Sequence, residues 1–174
     1  NDKIIAFDIC PANIVLNDLC KDLGIEYDTN GDISRKGKIV PTILQQLNQL
    51  DFYVKKAPKS LGREWVEKNI LPILKDNKSQ DLLCTFCEHV AMQIGKFLKD
   101  ESALITGGGV FNTFLMDRIR FHSNAAIIVP NKELIEFKES LIFAFLGVLK
   151  LRDEVNCLQS VTGADMDNCG GIIH

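Results

Sequence analysis

Three consecutive glycines, Gly107-Gly108-Gly109, stand between a strand-like run at 102–106 and a helix-like run from Phe111 to about Phe121. That placement limits the possible folds more than any other feature of the chain. Glycine has no side chain and tolerates positive φ, so a ligand can come close to the backbone there. A helix starting just beyond would turn its free N–H groups and positive dipole end toward the same place, which suits a nucleotide. A tight connection between a closely packed strand and helix would use the same residues. A second strand-like run at 125–129 closes on Pro130-Asn131, and a strongly apolar run at 137–151 has helical length. Strand, helix, strand and helix in succession predict an α/β domain whose sheet is at least partly parallel. A Rossmann dinucleotide site fits less well. Gly107 and Gly109 match its first two glycines, but Asn112 takes the third place, and Pro130-Asn131 stands where a ribose-binding acid is wanted.

The first half of the chain is less regular. A strand-like run at 2–7 ends at Asp8 and passes into Ile9-Cys10-Pro11-Ala12-Asn13, a turn with a rigid proline. A carboxylate at the C-terminal end of a strand projects into the crevice where α/β proteins bind ligands, so Asp8 could serve as general base or metal ligand. Capping the turn that follows is the plainer use of the same residue. Helical spacing recurs from Ile14 to Leu23, with Gly24 as C-cap, and again through Ile43, Leu44, Leu47 and Leu50. Asn30-Gly31 marks a turn. Residues 51–63 read as a loop, and 65–74 as a short helix interrupted at Pro72. Ser79 is placed to cap a helix whose Leu82, Phe86, Val90, Ile94 and Leu98 form a wide apolar face.

Charge and cysteine usage remove several classes of function. Lys and Arg number 20 against 23 Asp and Glu, a net charge of −3. With no basic stripe, a nucleic-acid partner is not expected. The longest apolar run, 141–149, is nine residues. It is too short to span a bilayer and is expected to be a buried helix. No basic segment followed by an apolar one opens the chain, so a secretory signal is not expected. The chain starts at Asn1 and enters a strand-like run almost at once, so further residues are expected upstream. Six cysteines in 174 residues are too few for a disulfide scaffold and read as reduced thiols. Cys84 and Cys87 form a lone C-x-x-C inside a helical pattern. With no second pair, packing in the core is the expected role rather than zinc or redox chemistry.

Four segments, in order, resemble the anhydro-N-acetylmuramic acid kinases. Phe7-Asp8-Ile9-Cys10-Pro11-Ala12-Asn13 is similar to the family's F-D-T-G-P-G-N, and Pro58-Lys59-Ser60-Leu61-Gly62-Arg63-Glu64 to P-K-S-T-G-R-E. Thr106-Gly107-Gly108-Gly109-Val110-Phe111-Asn112, with Leu115 and Arg118, resembles C-G-G-G-x-x-N-x-x-L-x-x-R. Residues 139–146 followed by Ser160-Val161-Thr162-Gly163-Ala164 resemble E-A-L-A-F-A-W-L and S-V-T-G-A. Together they span nearly the whole chain.

The resemblance implies an RNase H-like lobe of the actin- and hexokinase-type sugar-kinase fold, a mixed sheet flanked by helices. The 174 residues would be its single C-terminal lobe, with the N-terminal lobe absent from this chain. It implies a cytoplasmic homodimer that uses ATP and Mg²⁺ to phosphorylate 1,6-anhydro-N-acetylmuramic acid while water opens the anhydro ring. The product would be N-acetylmuramic acid 6-phosphate, in cell-wall recycling. By the same resemblance Asp8 is the catalytic aspartate. Gly107, Gly108, Gly109 and Asn112 form the adenosine-side turn, and Glu139 lies near the sugar. A first-turn acid favoured by the helix dipole is the other use of Glu139. Ile9, Cys10, Ala12 and Leu61 depart from the motifs. They leave open an alternative, a degenerate lobe that binds nucleotide or sugar without catalysis. Half a cleft cannot exclude water or hold a nucleotide in line, so negligible turnover is expected from this chain alone.

Overall fold

The computed structural model describes residues 4–99 and 102–172. It divides into two compact units that interleave along the chain. One comprises 9–55 and 61–130; the other comprises the described parts of 1–8, 56–60 and 131–174.

The larger unit is built around α4 (Ser79–Gly95). Every residue from Leu82 to Ala91 is buried, so the wide apolar face expected from sequence extends right round the helix. Against it pack α1 (Asn13–Lys21), α2 (Pro41–Asn48) and α5 (Thr113–Phe121). Phe86, Leu83 and Val90 are fully enclosed, each contributing about 1.5–3 kcal/mol of hydrophobic stabilisation. Pro41 opens α2, where its missing N–H costs nothing. Ser79 is the first residue of α4 and makes no capping bond, contrary to the sequence expectation. α3 (Arg63–Asn69) stops three residues before Pro72. Two strands, β1 (Ser102–Leu104) and β2 (Ala126–Ile128), pair in parallel with Ser102 opposite Ala126. The predicted parallel pairing is present, and the described sheet has these two strands.

Polar groups inside α4 are each matched. Thr85 Oγ1 accepts from the Val40 amide at 2.9 Å and donates to the Asp81 carbonyl at 2.7 Å. Glu88 accepts from Arg118 Nε at 2.5 Å and Nη2 at 2.9 Å, and lies 2.8 Å from His122 Nε2. Burial alone would raise the Glu88 pKa, but hydrogen bonds from Arg118 and His122 outweigh it and hold the carboxyl below its ordinary value. Asn48 Oδ1 accepts from Gln93 Nε2 at 2.6 Å and lies 2.8 Å from His89 Nδ1. Because that oxygen can only accept, Nδ1 carries the proton. Nε2 therefore accepts from the Tyr53 hydroxyl at 2.9 Å. Burial, helped by Lys96, pushes His89 down to about 3 and keeps it neutral.

Cys84 and Cys87 lie in this core as expected. Both are buried free thiols, and burial pushes Cys87 up to about 12. Cys20 is buried too, whereas Cys10, Cys157 and Cys169 are half-buried.

The smaller unit contains α6 (Lys132–Leu151), the short α7 (Gln159–Thr162) and an isolated antiparallel bridge between Cys157 and Asn168. α6 begins five residues earlier than expected, capped by Asn131, whose side chain accepts from the Leu134 amide at 2.9 Å. The expectation of a buried helix fails here. Phe137, Leu141, Phe143, Phe145 and Val148 are all more than half exposed, and Ile135 alone is buried. Apolar composition demands a cover but does not supply one. The expected strand at 2–7 also fails over its described part, since residues 4–7 belong to no strand. Residues 2 and 3 lie outside the described residues.

Candidate active site

In the larger unit, the site is built around the glycine turn. β1 delivers the chain to Thr106, and the Ile105 amide still donates to the Ile128 carbonyl at 2.9 Å. Gly107 then takes φ +89°, a conformation that other residues rarely adopt. A Cβ placed there would meet no atom within 4 Å. The positive φ, rather than crowding, is therefore what requires a glycine. At Gly109 the same test finds Asn13 Oδ1 at 3.3 Å, and at Gly108 it finds Asn13 Nδ2 at 3.8 Å. The turn lies open on one side and faces Asn13, the first residue of α1, on the other.

The helix does not start directly at the glycines. A 3-10 turn, Gly108–Phe111, intervenes, and α5 begins at Thr113. Asn112 caps it by accepting from the Leu115 amide at 2.9 Å. The free N–H groups expected to face the turn are thus partly occupied by the protein's own side chain. Asn112 has a structural role independent of any ligand, and its amide Nδ2 remains available to one.

A loop at 28–35 holds this region in place. Asp28 accepts from the Ile33 and Ser34 amides, both at 2.9 Å, and from Ser34 Oγ at 2.6 Å. The loop carries Gly31 at φ +74° against Asn112 and Phe114, where a Cβ would lie 2.2 Å from Asn112 Oδ1. Thr113 Oγ1 donates to the Asn30 carbonyl at 2.7 Å, and Arg35 pairs with Asp117 at 2.9 Å. The Asn30-Gly31 turn, visible in the sequence, thereby fixes the start of α5. Nothing in the sequence pattern linked it to the glycine turn.

Asp8, in the smaller unit, is exposed at the side chain and anchored through its backbone. Its amide donates to the Lys59 carbonyl at 3.0 Å. The Lys59 ammonium lies 5.8 Å from the centre of the Phe7 ring, close enough for a cation–π contact. The second motif therefore carries the segment that holds the aspartate's backbone. Arg63 belongs to the larger unit instead, bonding Glu67 in α3 at 2.9 Å and reaching Asp18 of α1 at 3.4 Å. Cys10, which replaces a motif glycine, is not among the residues with positive φ, so its side chain introduces no backbone strain.

Glu139 is exposed, and no hydrogen bond or ion pair among the described residues engages its carboxylate. It is the eighth residue of α6, too far along for the first-turn dipole to explain it.

Two residues join the list of site groups. Asn13 was visible in the first motif without a role, and its proximity to Gly109 supplies one. Thr106 Oγ1 is buried and has no hydrogen-bond partner among the described residues. A buried hydroxyl normally finds a partner, so an unpartnered one beside an open glycine turn fits a polar ligand. No group of three or more His, Cys, Asp or Glu among the described residues is placed to hold a metal ion. Magnesium bound with a nucleotide needs only one or two carboxylates besides phosphate oxygens.

A sequence model of the anhydro-N-acetylmuramic acid kinases matches residues 1–174. The chain belongs to the anhydro-N-acetylmuramic acid kinase family. It is 32% identical to the anhydro-N-acetylmuramic acid kinase of Francisella tularensis subsp. novicida, over 94% of this chain and 47% of the relative. The protein of that name from Gamma-proteobacterium EBAC31A08 is 34% identical over 88% of this chain and 44% of its own length. That from Aliivibrio fischeri is 28% identical over 100% of this chain and 51% of its own. The chain thus spans about half the length of the curated relatives it matches. Among the described residues, no helix is long and apolar enough to cross a membrane.

Proposed function

We propose that this chain supplies one half of the active-site cleft of a kinase that phosphorylates 1,6-anhydro-N-acetylmuramic acid with hydrolytic opening of the anhydro ring. In this reading it is the RNase H-like C-terminal lobe, with a mixed sheet, of a cytoplasmic homodimer engaged in cell-wall recycling. The observation that carries it is the open glycine turn with its unpartnered Thr106 hydroxyl, in a chain of this family.

ATP would supply the γ-phosphoryl group, and Mg²⁺ would neutralise its charge. Gly107, Gly108 and Gly109 would admit the nucleotide against the backbone, with Thr106 Oγ1 and Asn112 Nδ2 as hydrogen-bonding groups. Asp8 would take the proton from the water that attacks the anomeric carbon. The bond from that carbon to O6 breaks, and O6 receives the phosphoryl group. The Lys59 carbonyl holds the Asp8 backbone while its carboxylate stays exposed to substrate. Glu139, exposed and without an ion pair, is available to the sugar.

The test is ADP release with Mg-ATP and the anhydro sugar, using a chimaera of the Francisella relative in which this chain replaces the half it matches. We expect turnover by the chimaera, loss of it on Asp8→Asn, and none from the 174 residues alone. A folded chimaera that binds ATP without turnover would replace the catalytic reading with that of a degenerate lobe.

A further inference from the structure

The longest helix among the described residues buries a single side chain, Ile135. Leu134, Phe137, Leu141, Phe145 and Val148 recur every three or four residues and so share one face of α6. That face runs about 21 Å at 1.5 Å per residue. Their exposures are 38, 62, 59, 59 and 51%. Phe143, on another side of the helix, is 70% exposed. No charged residue interrupts Ser140 to Leu149. Lys132, Glu136, Glu139 and Lys150 share the opposite side, so α6 is amphipathic, and a contiguous exposed apolar patch of this kind marks a contact surface.

We propose that the apolar face of α6 is the seat for the polypeptide that the kinase relatives carry beyond the matched region, which packs against that face in one shared core. This rests on the two-part reading of the kinase given above. The relatives are about twice as long as the matched segment, so each carries, in the same molecule, enough chain to cover the helix. A second copy docking through a two-fold axis would make the isolated chain a dimer, the outcome that sedimentation tests. A bilayer fits poorly. Lys132, Lys138 and Lys150 are balanced by Glu133, Glu136 and Glu139, whereas helices lying on membranes are rich in Lys and Arg on their polar face.

The experiment compares Leu141→Glu in the 174-residue chain and in the Francisella chimaera. In the chain alone we expect a melting temperature within about 2 °C of the parent, monomeric sedimentation and strong binding of a fluorescent apolar probe. In the chimaera we expect weak probe binding and, on substitution, a fall of more than about 5 °C. Leu141→Met should restore the chimaera, separating loss of contact from general misfolding. Equal effects of Leu141→Glu in the two proteins would overturn the proposal. So would a dimer of the chain that the substitution dissociates, or binding of the chain to anionic vesicles that the substitution abolishes. A chimaera without kinase activity that still shows the differential melting loss would sink the functional reading and leave this one standing.

Discussion

α4 and α6 are the two longest helices, both are strongly apolar, and they have opposite surroundings. α4 is enclosed from Leu82 to Ala91 by helices and loops of its own unit. α6 has the higher mean hydropathy of the two, yet only Ile135 is buried. A sequence pattern reports the need for burial, while burial itself depends on which other segments are present. α4 finds its cover between residues 9 and 130. α6 finds no comparable cover among the described residues of its own unit.

The largest expected effect sharpens this contrast directly. Phe86→Ala should cost about 3–5 kcal/mol in a denaturant melt, because Phe86 is fully enclosed. Phe143→Ala, at an exposed position of α6, should stay within about 0.5 kcal/mol. Comparable losses at both positions would show that α6 is covered after all.

Next comes the charged cluster on α4. Glu88→Gln should cost about 2–3 kcal/mol at neutral pH, less than a fully buried pair because Arg118 is a quarter exposed. The folded-state pKa of Glu88 is depressed, so its contribution is present above the ordinary carboxylate value of about 4.3 and is lost as pH falls through the folded value. Acid melts of the parent should show that loss, and those of the Gln variant should not. No difference between the two acid profiles would remove Glu88 as a stabilising charge.

His89 gives a smaller, pH-dependent effect. Between about 3 and 6.5 it is neutral when folded and protonated when unfolded. The unfolded state therefore binds the extra proton, and stability rises with pH across that window. The slope is at most about 1.4 kcal/mol per pH unit. His89→Gln should flatten it, read as melting temperature against pH. An unchanged slope would mean that another group is responsible.

The smallest effects concern the helix caps. Asn112→Ala should cost about 1 kcal/mol, with a visible loss of Mg-ATP protection in thermal melts if the glycine turn binds nucleotide. Asn131→Ala, the corresponding cap on α6, should cost no more and leave any ATP effect intact. Equal loss of ATP protection in both variants would dissociate Asn112 from the nucleotide.

Much of the α/β order was legible because it depends on local signals. The glycine turn, both strands of the parallel pair and the periodic face of α4 stand where the sequence placed them. The strand predicted before Asp8 was not, over its described residues, because a strand exists only when another backbone pairs with it. The 3-10 turn before α5 was hidden because its glycines look the same whether or not a helix starts at once. Around the site, Asp8, the glycines and Asn112 were visible as motif residues. The clamp of Asn30, Gly31 and Arg35 on the start of α5 depends on contacts some 80 residues apart and left no periodic trace. Thr106 became notable only once its hydroxyl proved to be buried without a partner.

The polar residues inside α4 also fix how its neighbours can be aligned. Thr85, Glu88, His89 and Gln93 each meet a named atom in another segment. Sliding α4 by one turn, or rotating it by one residue, would leave several of these groups buried without partners at once. The unit is thereby selected for one packing among the many that an oily helix would allow. The uncharged centre of α6 carries no comparable markers. Its apolar surface would accept a neighbour in several alignments with similar energy, so the choice among them must be encoded on the neighbour's side of the contact.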